Sequence, residues 1–188
     1  MREAYFGGAP GIVTSGSAWL LAALVAAFVS DRAGIITLVI AGMFIFPVSV
    51  LLCKLIGCTG KHSKDNPLAP LAIEGTIWML LSIPIAIAAA LYRVEWFFPA
   101  MLIVIAGRYL TFSTIYGMRI FWAFGATLVA SGLVLIYLQA PAFVGALGGA
   151  IIEYVFGATI FATYKAPQPN QELNSQASPA GTPQDGAR

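Results

Sequence analysis

The sequence predicts an all-α integral membrane protein built as a bundle of six transmembrane helices. Of its 188 residues, 59% are hydrophobic and only 10% are charged, against roughly 25% charged residues in a typical soluble domain. Six apolar stretches each have the roughly 20 residues that a helix needs to cross a bilayer, and none alternates apolar and polar residues as barrel strands do. The composition excludes an ordinary soluble enzyme, a disordered protein and a nucleic-acid-binding domain.

The predicted spans follow one another with short connections. They cover residues 11–30, 34–55, 70–91, 97–115, 120–139 and 141–163. Prolines at or near four span starts support these limits, because a proline lacks only an N–H that would be unpaired there. Residues 31–34 are expected to form a tight turn, and the link at residues 139–141 is so short that the last two helices must be antiparallel neighbours. Pro47 and Pro84 are expected to interrupt the second and third spans.

Basic residues predict the orientation of the bundle. Six spans place both termini on one side, and the side that carries more Lys and Arg near span ends is expected to be cytoplasmic. The side of the termini has Arg2, Lys54, Lys61, Lys64, Arg119 and Lys165, whereas the opposite side has only Arg32 and Arg93. Both termini are therefore expected to be cytoplasmic.

The spans predict a transmembrane domain over residues 1–165. Residues 166–188, which include no aromatic residue, are expected to be a disordered cytoplasmic tail.

Three charged residues, Glu74, Arg108 and Glu153, fall inside spans. Each costs roughly 2.5–3.5 kcal/mol at a helix centre, so all three are expected to face the bundle interior. Arg108 and Glu153 lie at matching depth and are predicted to pair directly, with Glu74 about 8 Å nearer the cytoplasm. Small residues recur with Glu153 on one stripe of the sixth helix, which predicts a close helix contact there. That stripe consists of Gly145, Gly149, Glu153 and Gly157.

Polar residues near these charges extend the predicted site. Trp78 and Ser82 share a helix face with Glu74, and Thr111 lies one turn from Arg108. Two carboxylates against one guanidinium leave a buried charge imbalance, which predicts that one glutamate is protonated or that a cation binds. The leading hypothesis is therefore a small proton- or cation-coupled transporter. The alternative is a non-transporting membrane sensor, scaffold or assembly partner in which the charges form a structural ion pair.

No enzymatic or cofactor motif is present in the chain. Cys53, Cys58 and His62 are spaced as weak candidate ligands for a soft metal, but no fourth ligand is evident apart from Asp65. We expect no metal site, and reduced cysteines at a cytoplasmic membrane edge. A membrane enzyme using Glu74 and His62 as acid and base is a third, less favoured hypothesis. The expected partners are the lipid bilayer, an unidentified small ion or molecule and, because six short helices enclose little space, further copies of the chain.

Two short likenesses suggest an internal duplication. Residues 16–21 resemble residues 75–80, and residues 39–42 recur as residues 104–107. They predict that the first two spans and the next two are copies of one hairpin. Repeats with an even number of spans run in parallel orientation, unlike the inverted repeats of many transporters.

Three segments carry a family resemblance: residues 2–11, residues 72–78 and residues 107–112. Together they resemble a family of small, uncharacterised bacterial multi-pass membrane proteins, over residues 1 to about 163. The resemblance implies a bacterial inner-membrane location. It transfers no catalytic residue.

Overall fold

The computed structural model describes residues 6–56 and 69–165. These ranges contain six helices long and apolar enough to cross a membrane, and no strand, so the predicted all-α fold is confirmed. The helices are α1 (Ala9–Phe28), α2 (Asp31–Leu55), α3 (Ala69–Tyr92), α4 (Phe97–Tyr116), α5 (Ile120–Tyr137) and α6 (Ala142–Lys165). Short 3₁₀ turns, Phe6–Gly8 and Val94–Trp96, precede α1 and α4. The predicted disordered tail at residues 166–188 lies outside the described residues.

The predicted turn at residues 31–34 is the first turn of α2. Ser30 is extended and its side chain accepts a hydrogen bond from the backbone N–H of Ala33, 3.2 Å away. This serine cap and the negative charge of Asp31 both stabilise a helix start. The connection between α1 and α2 is consequently shorter than predicted, at Val29 and Ser30. Both α2 and α3 continue through their internal prolines, Pro47 and Pro84.

Two helices organise the packing. Helix α1 packs most extensively against α6 and α2, and α4 packs most extensively against α5 and α3. The first group is thus α1, α2 and α6, and the second group is α3, α4 and α5. Helix α6 also contacts α4 and α5, and these contacts join the two groups. Helices α2 and α3 therefore lie at the periphery with mostly exposed apolar side chains. In a bilayer, those faces are available to lipid.

The small-residue stripe of α6 packs inside the chain. Gly149 lies against the Trp19 ring of α1, and a Cβ atom there would come 2.5 Å from that ring. Gly157 lies against Ile12 and Val13 of α1, and Gly145 against the start of α4. The close approach of α1 and α6 thus depends on glycines. The stripe is not available for contacts with a second chain.

Candidate functional site

Glu153 lies near the middle of α6 and is only 1% exposed. Its Cβ faces Gly16 of α1, where an added methyl group would come within 3.3 Å of it. The Tyr109 hydroxyl of α4 donates a hydrogen bond to Oε1 of Glu153 over 3.0 Å. The carboxyl group therefore sits where α1, α4 and α6 meet.

The second carboxyl oxygen has a different environment. Oε2 of Glu153 is buried and has no hydrogen-bond partner in the described part of the chain. The buried Ser15 hydroxyl of α1 interacts with the same carboxyl group. A buried oxygen without a full set of partners is costly, so this carboxyl group is incompletely satisfied. Ser15, Tyr109 and Glu153 together form what we call the carboxyl site.

An aromatic stack holds Tyr109 in place. Its ring lies 4.0 Å, centroid to centroid, from the ring of Phe124 on α5, which in turn stacks on Phe156 of α6 at 4.5 Å. Phe121 and Phe112 pack around the same ring. Such stacks restrict ring orientation as well as burying apolar area. The hydroxyl of Tyr109 is therefore aimed at Glu153 by three helices.

Arg108 does not form the predicted ion pair with Glu153. Its Nη1 instead donates to the sulfur of Met79 on α3 at 3.5 Å, and its guanidinium lies 5.5 Å from the centroid of the Phe112 ring. The reason is helix geometry: consecutive residues point about 100° apart. Because Tyr109 faces α6, its neighbour Arg108 points towards α3. Matching depth was insufficient to predict a pair.

Glu74 does not face the bundle interior as predicted. Its side chain is exposed on the outer face of α3, with Trp78 beside it and 67% exposed. Glu74 makes no hydrogen bond or ion pair to any described residue. The adjacent Gly75 makes the contact with α4, against Thr111.

The remaining polar residues of the predicted site have local roles. The Ser82 hydroxyl donates to the Trp78 carbonyl, and the Thr111 hydroxyl to the Arg108 carbonyl. Hydrogen bonds of this kind satisfy a hydroxyl within its own helix. The structure therefore does not bring Glu74, Arg108 and Glu153 into one cluster.

The weak metal candidate is incomplete in the described part of the chain. Cys53 is buried and its sulfur is disulfide-bonded, so the expectation of a reduced cysteine is wrong for this residue. A sulfur in a disulfide offers no thiolate to a metal. Cys58, His62 and Asp65 lie outside the described residues. Within residues 6–56 and 69–165, no three acidic, histidine or cysteine side chains come together as a metal site would require.

Sequence reasoning missed both partners of Glu153. The site predicted from the sequence includes neither Tyr109 nor Ser15 as a partner of this carboxyl group. A signal for Ser15 does exist, because residues 15–17 read Ser-Gly-Ser and α6 carries glycines at spacing four. Two small-residue surfaces are suited to close packing, and that packing places Ser15 beside Glu153.

A groove between α1 and α2 approaches the carboxyl site without reaching it. It has a volume of about 460 Å³, and its lining includes Thr14, Ser17 and Thr37. The Ser17 hydroxyl is 2.9 Å from that of Tyr154, the residue after Glu153. The groove lining includes none of Ser15, Tyr109 and Glu153. The carboxyl group is thus closed off from this groove by the α1–α6 contact.

Comparison with known proteins gives one relationship. No curated protein and no solved structure matches the chain. A family model described as "Family of unknown function (DUF7010)" matches residues 1–163. That match covers α1 to α5 and all but the end of α6. The chain therefore belongs to this family of unknown function.

Proposed function

We propose that the protein is a small proton-coupled membrane transporter and that Glu153 is its proton-binding group. The observation that carries this proposal is a buried carboxyl group near the middle of α6, whose Oε2 has no hydrogen-bond partner and which has no ion-paired cation among the residues that the structure describes. Burying an ionised carboxylate without a partner costs far more than burying the neutral acid. Glu153 is therefore protonated in this arrangement, with the Tyr109 hydroxyl donating to Oε1 and the Ser15 hydroxyl beside the carboxyl group.

A proton fits the carboxyl site better than a metal cation does. Ca²⁺ takes 6–8 oxygen ligands and Mg²⁺ requires near-octahedral geometry. Among the described residues, the site offers one carboxyl group and the hydroxyls of Ser15 and Tyr109. A proton needs a single acceptor oxygen. Of the proton- and cation-coupled mechanisms that the sequence suggested, the geometry favours the first.

The second candidate is a non-transporting scaffold or sensor in which the carboxyl site only fixes the α1–α4–α6 junction. One observation favours it: the lining of the groove beside the site includes none of the three carboxyl-site residues. Both candidates are non-enzymatic. An acid–base pair of Glu74 and His62 finds no support from Glu74, which lies on the outer face of α3.

The substitution Glu153→Gln separates the two candidates. Glutamine keeps the shape and the acceptor for Tyr109 but does not titrate. If Glu153 carries protons, purified Glu153→Gln should unfold at the same or a higher temperature than the wild type, as at sites retained at a cost to stability. Dissipation of an imposed pH gradient in liposomes should be lost. The wild type should also show an infrared carboxylic-acid band that Glu153→Gln lacks.

The opposite pattern would establish the structural role. Unchanged proton flux in folded Glu153→Gln, or no acid band in the wild type, would overturn the proposal. Glu74→Gln is the matched control, because it removes an exposed carboxyl group from another helix. It should leave the flux and the infrared band unchanged.

We further propose a bacterial inner-membrane location, on the family resemblance, and an orientation with both termini in the cytoplasm, on the distribution of Lys and Arg. The disulfide at Cys53 favours the opposite orientation, because the proposed orientation places Cys53 at the cytoplasmic end of α2 and cytoplasmic disulfides are uncommon. Reporter fusions after residue 165 and after Gln139 would decide the orientation. A cytoplasmic reporter active only after residue 165 supports the proposal, and one active only after Gln139 reverses it.

A further inference from the structure

A second cavity lies at the opposite end of α2 from Cys53. It occupies about 440 Å³ where α2 begins, α3 ends and α4 begins. This is within the roughly 300–1,000 Å³ typical of ligand pockets. The cavity exists because α2 packs mainly on α1 and α3 mainly on α4, which leaves the ends of α2 and α3 apart. Its lining residues are Arg32, Ile35, Ile87, Ala90, Leu91, Val94 and Phe97.

The cavity is apolar apart from one charge. Arg32 is the sole ionisable residue in its lining, and the other six residues are hydrophobic. The Arg32 side chain is exposed and forms no ion pair or hydrogen bond with the residues that the structure describes. Arg93, also exposed, lies at the same end of the bundle but outside the lining.

The depths of these residues match the layers of a membrane leaflet. Arg32 is the second residue of α2, and Leu91 is the last but one of α3, so both lie at the level expected for headgroups. Ile35 and Ile87 lie about one turn deeper, towards the hydrocarbon. A guanidinium at the mouth and an apolar floor below it are complementary to a phosphate attached to an acyl chain.

We propose that this cavity is a phospholipid site, with the lipid phosphate on Arg32 and one acyl chain along Ile35, Ile87 and Phe97. The lipid comes from the leaflet on the side where α2 begins. Inorganic phosphate carries the same charge, but it would gain nothing from the six apolar lining residues. The site is separate from the carboxyl site and does not depend on proton transport.

The test measures lipid binding to the purified full chain in detergent, using phosphatidylglycerol as the probe. Native mass spectrometry and thermal unfolding follow binding, with diacylglycerol as the analogue that lacks phosphate. Losing a hydrogen bond to a charged group costs enough to weaken binding about tenfold or more. Arg32→Gln should therefore weaken phosphatidylglycerol binding at least about tenfold, whereas Arg93→Gln should leave it nearly unchanged.

A second variant tests the acyl-chain part of the site. Ile87 is 44% exposed in the cavity wall, so Ile87→Trp fills the cavity without disturbing the buried core. It should weaken phosphatidylglycerol binding while Arg32 remains in place. Equal losses from Arg32→Gln and Arg93→Gln, or unchanged binding in Ile87→Trp, would overturn the proposal. If inorganic phosphate raised the unfolding temperature as much as phosphatidylglycerol does, the proposal would be overturned in favour of a simple anion site.

Discussion

Helices α1 and α4 occupy similar positions in two groups of three helices. Each follows a short 3₁₀ turn and carries a proline near its start, Pro10 in α1 and Pro99 in α4. Helix α1 packs mainly on α2 and α6, and α4 mainly on α5 and α3. The two arrangements correspond when each helix is paired with the helix three positions away: α1 with α4, α2 with α5 and α6 with α3. In a membrane, helices three apart run in opposite directions, which is the relationship found in inverted repeats.

This equivalence differs from the one that the short sequence likenesses predicted. Those likenesses paired α1 with α3, yet half of the α1 span is buried and only 11% of the α3 span is. The shared small and apolar residues therefore do not give the two helices similar burial. The packing pairs α1 with α4 and not with α3.

The two groups differ in where they carry polar groups. Helix α1 presents Ser15 and Gly16 to α6, a small and uncharged surface. Helix α4 presents Tyr109 to α6 and Arg108 to α3. Glu153 therefore receives close packing from one group and its hydrogen-bond donor from the other. Changes in each group should affect the site in different ways.

The largest expected effect comes from the small-residue contact of the first group. In Gly149→Ala, the new Cβ would lie 2.5 Å from the rigid Trp19 ring, so the free energy of unfolding should fall by about 1–3 kcal/mol. In Gly125→Ala of the second group, the nearest atom is the flexible end of Leu110 at 2.8 Å, and the loss should be smaller. Denaturation in detergent measures both. Gly148→Ala, whose nearest contact is 3.9 Å away, is the control. Equal losses of unfolding free energy in all three variants would show that α1 and α6 are not packed more closely than the other helices.

Removing the donor of the second group should have the next largest effect. Tyr109→Phe keeps the ring stacked on Phe124 but leaves Oε1 of Glu153 without its hydrogen bond. An unsatisfied buried acceptor costs about 1–3 kcal/mol. In a Glu153→Leu background the same substitution should cost much less, because the acceptor is gone. Equal costs in the two backgrounds would show that the hydroxyl does not act through Glu153.

Replacing Arg108 should change stability less than a broken ion pair would. Breaking a buried pair typically costs about 3–5 kcal/mol. In the described part of the chain, the Arg108 guanidinium contacts the Met79 sulfur and the Phe112 ring and forms no ion pair with Glu153, on which it acts only at longer range. We therefore expect Arg108→Gln to unfold within about 1 kcal/mol of the wild type, since only weak contacts are lost. A loss of about 3–5 kcal/mol would instead indicate the ion pair with Glu153.

The sequence predicts the six helices because hydrophobic length and proline position are local properties. It also predicts the close contact at Glu153, since Gly145, Gly149 and Gly157 define one helix face. It fails for Arg108 and Glu74, because pairing depends on rotation about the helix axis and on which helices are neighbours. Neither quantity can be read from depth alone. Ser15 was missed for the same reason, as it lies on a different helix from Glu153.

The smallest effect is expected for Glu74. Its carboxyl group is exposed and has no partner in the described chain, so Glu74→Gln should change the free energy of unfolding by no more than about 0.5 kcal/mol. The residue lies in the second turn of α3, from which a side chain can extend towards the membrane surface. A loss as large as that of Tyr109→Phe would contradict this and imply a partner outside the chain. A second copy of the chain, which is expected as a partner from the sequence, would supply it if it packed on the Trp78 face. Light scattering of wild type and Glu74→Gln distinguishes the cases, because only a partnered glutamate makes the oligomer dissociate when it is replaced.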